Sequence, residues 1–133
     1  MHLYMPPKRF LLIDDDYTVK VLFEAALEEL EQPVEYEFRS GAPEALEYLE
    51  KCRQTDQYPD VILVDLKMPV MDGFEFIAHY EKQFFAAQPE TRLFVLSSSI
   101  SEKDKAQALR HRPVKDFITK PILAPKLAGL MAD

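Results

Sequence analysis

Val61-Ile62-Leu63-Val64-Asp65-Leu66-Lys67-Met68-Pro69 is the stretch that decides the fold. A short run that is apolar throughout predicts a buried strand. It ends on a carboxylate. At the tip of a buried strand Asp65 has lost part of its hydration and needs a compensating partner. Two other segments end in the same way. Phe10-Leu11-Leu12-Ile13 runs into Asp14-Asp15-Asp16, and Phe117-Ile118-Thr119 runs into Lys120-Pro121. Acids at two strand ends and a lysine at a third predict one compact site for a divalent cation and a phosphoryl group.

Strand-like and helix-like segments alternate around that stretch without a repeat or a composition break. Residues 9–14 predict the first strand, and Asp16 a cap for a helix over 17–30 with Val19, Leu22, Phe23, Ala26, Leu27 and Leu30 on one face. Residues 34–39 alternate Val34, Tyr36 and Phe38 with Glu35, Glu37 and Arg39, which predicts a half-exposed strand near a sheet edge. Ser40-Gly41 opens a helix to about Arg53, with Ala42, Ala45, Leu46, Leu49 and Cys52 aligned. The third strand is expected over 60–65. A helix over 74–85 follows, with Phe74, Ile77 and Phe84 inward. The fourth strand is expected over 92–97, and a capping box of Ser101 and Asp104 then starts a helix to about Arg110. A fifth strand over 114–119 and a short helix over 122–131 complete the pattern. Five strands alternating with helices imply an α/β fold, a parallel sheet covered on both faces. Function in such sheets sits at the carboxyl ends of the strands, where Asp14, Asp15, Asp65, Ser97 and Lys120 all fall.

The 133 residues are enough for one domain, and the expected division is an N-terminal extension, residues 1–8, followed by a domain over 9–133. A formal charge of −7 argues against a nucleic-acid partner, because phosphate contacts need clustered Lys and Arg. No apolar run approaches a membrane span, and the start of the chain lacks the apolar core of a signal peptide. The single cysteine, Cys52, cannot form an internal disulfide, which suits a reducing cytoplasm, and its place on an apolar helix face reads as a structural thiol. His2, His79 and His111 show no metal-ligand spacing with one another or with Cys52.

Three carboxylates brought together need neutralising. Two of them about 4 Å apart repel by roughly 4 kcal/mol at an effective dielectric of about 20. Mg²⁺ suits such a group, since it takes a few carboxylates, waters and often a phosphate oxygen. Lys120 supplies a mobile point charge for a phosphoryl oxygen, and Ser97 a hydroxyl donor for a second. A carboxylate can then attack phosphorus, a reaction that chiefly needs positioning and charge neutralisation. Each feature taken singly is ordinary: acid runs cap helices, and Lys-Pro is common in loops. Their recurrence at successive strand ends is what carries the reading.

These residues resemble the receiver domains of two-component response regulators, in particular the stand-alone, chemotaxis-regulator-like ones. The resemblance covers Arg9 to Met131. It rests on Leu12-Ile13-Asp14-Asp15, on Asp65-Leu66-Lys67-Met68-Pro69-Val70-Met71-Asp72-Gly73, on Val95-Leu96-Ser97-Ser98-Ser99 and on Phe117-Ile118-Thr119-Lys120-Pro121. It implies a flavodoxin-like three-layer sandwich, a five-stranded parallel sheet in the order 2-1-3-4-5 with five helices, an order for which a receiver is a standard illustration. It implies Asp65 as phosphoacceptor, Asp15 as a direct Mg²⁺ ligand, Asp14 on a metal water and the Lys67 backbone carbonyl as a further ligand. Ser97 and Lys120 would bind phosphoryl oxygens, and Phe117 would be the switch aromatic that follows Ser97. The implied partners are a sensor histidine kinase or histidine phosphotransfer protein and a downstream protein, with the chain a cytoplasmic monomer or weak dimer. The resemblance implies no enzyme beyond the domain's own phosphoryl transfer and dephosphorylation.

Three departures stand out: no glycine in His111-Arg112-Pro113-Val114, a long connection through Gln54–Pro59, and a short last helix that leaves no room for an output domain. Asp14-Asp15-Asp16-Tyr17-Thr18 also satisfies the Asp-x-Asp-x-Thr pattern of Mg²⁺-dependent haloacid-dehalogenase-type phosphatases, with Asp14 as nucleophile. That alternative needs an acidic pair after the lysine, and beyond Lys120 only Asp133 is acidic. A flavin or dinucleotide carrier needs a glycine-rich loop, which three scattered glycines cannot make. An interaction module working without phosphorylation would be expected to lack one of the site residues.

Overall fold

The computed structural model describes residues 6–98 and 101–131. Five strands, β1 (Lys8–Ile13), β2 (Val34–Arg39), β3 (Val61–Asp65), β4 (Arg92–Ser97) and β5 (Val114–Thr119), form one parallel sheet in the order β2-β1-β3-β4-β5. The helices between and after them are α1 (Tyr17–Glu28), α2 (Ala42–Thr55), α3 (Gly73–Gln83), α4 (Glu102–Leu109) and α5 (Ala124–Met131). This is the flavodoxin-like fold expected from the sequence. Ser99 of the Val95–Ser99 motif, residues 1–5 of the expected extension and Asp133 lie outside the described residues.

The two-residue period of a strand divides the apolar sequence between two cores. Leu11, Ile13, Ile62, Val64, Leu93 and Val95 face α2, α3 and α4, which contribute Ala45 and Leu49, Phe76, Ile77 and Tyr80, and Ala108. Phe10, Leu12, Val61, Leu63, Phe94 and Leu96 face α1 and α5, which contribute Phe23 and Ala26, and Leu127, Leu130 and Met131. β3 is buried at all five positions, as a central strand covered on both faces must be. β2, like β5 at the opposite edge, is an edge strand. Its Val34, Tyr36 and Phe38 pack toward α1, while Glu35 and Glu37 stay in solvent.

Some boundaries differ from expectation, and one helix buries more of its face than expected. β1 starts at Lys8 and stops before Asp14, whose side chain holds the loop that follows by accepting the Asp16 backbone N–H. β3 starts at Val61, because the Asp60 carboxylate accepts the Arg9 backbone N–H at 2.9 Å. α1 closes at Glu28, and α5 opens at Ala124. α3 begins at Gly73, and Gln83 is followed by a 3₁₀ turn over Phe85–Ala87. Its buried stripe is Gly73, Phe76, Ile77 and Tyr80, continued by Phe84. Phe74 is half-buried and packs against the same core from the margin of the stripe, where the 100° spacing of helix residues places it relative to Phe76, Ile77 and Tyr80. Cys52 is buried as expected, and burial pushes its thiol up, which keeps it protonated and inert.

Candidate functional site

Three loops meet at the carboxyl edge of the sheet. The first, after β1, carries Asp14, Asp15 and Asp16. Asp14 is fully buried, and its backbone N–H donates to the Arg39 carbonyl at 3.2 Å, which ties this loop to β2. Its Oδ1 accepts the Asp16 backbone N–H at 2.9 Å. Asp16 in turn caps α1, accepting the Thr18 backbone N–H at 2.9 Å. Asp15 is exposed beside them.

The second loop follows Asp65, the last residue of β3, which is 7% exposed. The chain turns back at once. Met71 N–H donates to the Pro69 carbonyl at 2.8 Å, with Val70 between them at φ 71°, a strained position for a β-branched residue. Gly73 N–H then donates to the Leu66 carbonyl at 2.9 Å, bringing the start of α3 against the end of β3. A reciprocal box holds that start: Asp72 accepts from Glu75 N–H at 2.9 Å, and Glu75 accepts from Asp72 N–H at 3.2 Å.

The third loop follows β5. Lys120 N–H donates to the Ser97 carbonyl at 2.9 Å, and a cis peptide joins Lys120 to Pro121. The Lys120 ammonium lies 2.6 Å from Asp14 Oδ2 and 3.4 Å from Asp65 Oδ1. Ser97 ends β4 opposite Thr119, and Phe117 pairs with Val95. Two residues apart on β4, Val95 and Ser97 share a sheet face, so Ser97 and Phe117 lie on the same side of neighbouring strands. Phe117 is half-buried and packs against the core that includes Val95.

The electrostatics follow from the geometry. Burial and then the Asp14 carboxylate push the Asp65 carboxyl above its ordinary range, and Lys120 and the Lys67 N–H pull it only part of the way back. Burial alone would lower the Lys120 ammonium, but Asp14 and then Asp65 outweigh it and raise it. One ammonium thus serves two buried carboxylates, and Asp15 adds a third acid. Carboxylate oxygens of Asp14, Asp15 and Asp65 lie within 4.8 Å of one another. Such a group fits a hard cation bound through oxygen. Asp14 Oδ2 has only the ion pair and no aligned hydrogen-bond donor.

The five residues read from strand ends are therefore brought together at one edge, and Phe117 lies on the Ser97 face of the neighbouring strand. Sequence reasoning missed that Asp14, more than Asp65, is the nearest partner of Lys120. It also missed why the loop after β3 needs glycine at position 73. The Asp-Gly pair was the available signal for the second, whereas the first depends on how deeply β1 is buried.

Residues 10–131 match the family profile of the response regulator receiver domain. The chain belongs to that family. It is 28% identical over 126 residues to the chemotaxis protein CheY of Halobacterium salinarum, covering 95% of each. Over 111 residues it is 30% identical to part of the sensor histidine kinase CheAY of Helicobacter pylori, 84% of this chain and 13% of that one. The structure of a two-component response regulator from Cytophaga hutchinsonii superposes with a TM-score of 0.86 at 26% identity, with 96% of both chains covered. The receiver is thus a CheY-like signalling domain of two-component systems, and the phosphatase reading finds no support. Among the described residues no helix is long and apolar enough to cross a membrane.

Proposed function

We propose that this receiver accepts a phosphoryl group on Asp65 in a Mg²⁺-dependent reaction and signals through altered binding of a downstream protein. One observation carries the assignment: Asp65 ends the central strand, nearly buried, with the Lys120 ammonium at 3.4 Å and two further carboxylates within 4.8 Å. Asp14, Asp15, Asp65 and the Lys67 backbone carbonyl would hold Mg²⁺, which neutralises charge on the incoming phosphoryl oxygens. Ser97 and Lys120 bind the remaining oxygens. Transfer from a phosphohistidine breaks the P–N bond, forms a P–O bond to Asp65 and leaves the imidazole to take a proton.

The donor is a sensor histidine kinase or a histidine phosphotransfer protein. Its support is the likeness to part of a protein named a sensor histidine kinase. The domain works in the cytoplasm, without nucleic acid, and catalyses nothing beyond its own phosphorylation and dephosphorylation. The switch is Ser97 moving toward the phosphoryl group while Phe117 fills the space behind it.

Incubation with a small acyl phosphate and Mg²⁺, followed by intact-mass measurement, tests the assignment. One phosphoryl mass should appear, vanish with hydroxylamine, and be absent both in Asp65→Asn and without Mg²⁺. An Asp65→Asn protein that still gains this mass, alongside an Asp14→Asn protein that does not, would transfer the role to Asp14.

A further inference from the structure

β2 is open along one side. The Arg39 carbonyl accepts the Asp14 N–H at 3.2 Å and so faces β1. In a parallel ladder successive residues turn their N–H and C=O to opposite sides. Glu35 and Glu37 therefore bond toward β1, while Val34, Tyr36 and Phe38 turn their backbone groups to the open edge. Among the described residues only one of those groups finds a partner, the Phe38 carbonyl, which accepts from the Arg39 guanidinium at 2.8 Å. The rest are a template for another strand.

Side chains along that edge sort by face. Val34, Tyr36 and Phe38 pack on the α1 core. Glu35 and Glu37 point to the other face, where they line a cleft with Arg9 and with Tyr48 of α2. Arg9 lies 3.9 Å from Glu35 and Arg39 lies 3.3 Å from Glu37, but both pairs are exposed, and exposed pairs hold weakly. The wider charge is one-sided. Residues 17–55, which run from α1 through β2 to α2, carry nine glutamates and four basic residues, a net of −5 out of the chain's −7. Glu28, Glu29 and Glu31 at and beyond the end of α1, and Glu44 and Glu47 on α2, are exposed and make no ion pair among the described residues.

Open backbone groups in acidic surroundings favour one kind of occupant. A second copy pairing edge to edge would set Glu35 and Glu37 against their own counterparts, and like charges across a strand pair destabilise it. We propose that the free edge of β2 docks an extended, lysine- or arginine-rich segment of a partner protein as a sixth strand. The Tyr36 N–H and C=O and the Phe38 N–H supply the main-chain bonds. Alternate side chains of the segment are basic on the face of Glu35 and Glu37, and apolar on the α1 face beside Tyr36 and Phe38. Docking involves neither Asp65 nor a phosphoryl group.

Titration of the full chain with a short peptide of alternating lysine and valine, followed by NMR, tests it. Bound peptide should slow amide exchange at Tyr36 and Phe38. Glu35 and Glu37, whose amides already bond toward β1, should not change. A peptide of alternating glutamate and valine should bind at least about tenfold more weakly, and the difference should shrink as salt is raised. Joint replacement Glu35→Gln and Glu37→Gln should weaken the lysine peptide, with protected amides in β1 and β3 reporting that the fold persists. No binding of the lysine peptide, equal binding of the two peptides, or equal binding by the glutamine variant would overturn the proposal. So would binding that perturbs only Asp14, Asp15 and Asp65, or that leaves exchange at Tyr36 and Phe38 unaltered. Protection of those two amides that rises with protein concentration without peptide would hand the edge to a second copy instead.

Discussion

A methyl group at position 73 would sit 2.6 Å from the Leu66 Cα and closer still to the Asp65 carbonyl oxygen. Those are backbone atoms of the strand end that presents the site, so they cannot turn aside as a flexible side chain would. Gly73→Ala should therefore destabilise the domain by about 1–3 kcal/mol and push the start of α3 away from Asp65. Gly129 offers the control. An added methyl meets nothing there within 4 Å, and the residue lies inside α5, so Gly129→Ala should stabilise by roughly 0.5–1 kcal/mol through helix propensity. Paired urea titrations decide it, and equal midpoint shifts for the two variants would contradict the close-approach account. The Asp-Gly pair could be read from sequence as a loop. Why the loop tolerates only glycine could not, because the reason is a neighbour seven residues earlier that folding brings within contact.

At the scale of elements, the legible parts were those whose pattern is local. β2, β4 and β5 match the expected 34–39, 92–97 and 114–119, since alternation or a short apolar run bounded by turn residues defines them. The start of β3 was not legible, because a side chain takes a ladder donor there, the Asp60 carboxylate accepting the Arg9 N–H, and the start of β1 at Lys8 follows from its pairing with Val34 of β2. The inward stripe of α3 was read incompletely: Phe74, Ile77 and Phe84 all pack on the core, with Phe74 only partly buried. Phe76 and Tyr80, which are both fully buried, fix it together with Ile77. The same helix yields a prediction about its own start. Asp72 satisfies the Glu75 N–H that would otherwise lack a partner; Asp72→Ala removes this bond and leaves in place only the reciprocal one, from the backbone N–H of residue 72 to the Glu75 carboxylate. The expected loss is about 1 kcal/mol, and Asp72→Asn should keep most of the capping stabilisation. A lower urea midpoint at constant slope would show it. An alanine variant as stable as the asparagine variant would count against the box.

For the whole molecule, strand order was the part that the residues alone did not give. Family resemblance supplied 2-1-3-4-5; the parallel direction of the strands sets the three loops at one edge, and that order, by making β1 and β3 neighbours, crowds their carboxylates. The crowding makes stability depend on pH. Asp65 is raised above its ordinary range by burial and by Asp14, so the folded state keeps a proton that the unfolded chain has already released. Stability from this group is then greatest at acid pH, and it falls as pH rises from about 4, the unfolded value, through the higher folded value. Lys120 is raised as well, so its contribution is complete below the ordinary lysine range near 10 and adds no slope between pH 5 and 8. In chelator at pH 7, Asp65→Asn should therefore be more stable than the natural protein by about 1 kcal/mol or more, having removed a buried charge without a full partner. The gap should narrow toward pH 5. Mg²⁺ should narrow it from the other side, since a ligand at tenfold its Kd stabilises by about 1.4 kcal/mol. The natural protein should gain more than Asp65→Asn, which offers the cation one carboxylate fewer. Thermal unfolding across pH 5–8, with and without Mg²⁺, reads both effects. If the asparagine variant melts no higher in chelator at pH 7, or gains as much from Mg²⁺, then Asp65 is not the strained carboxylate at the centre of this cluster.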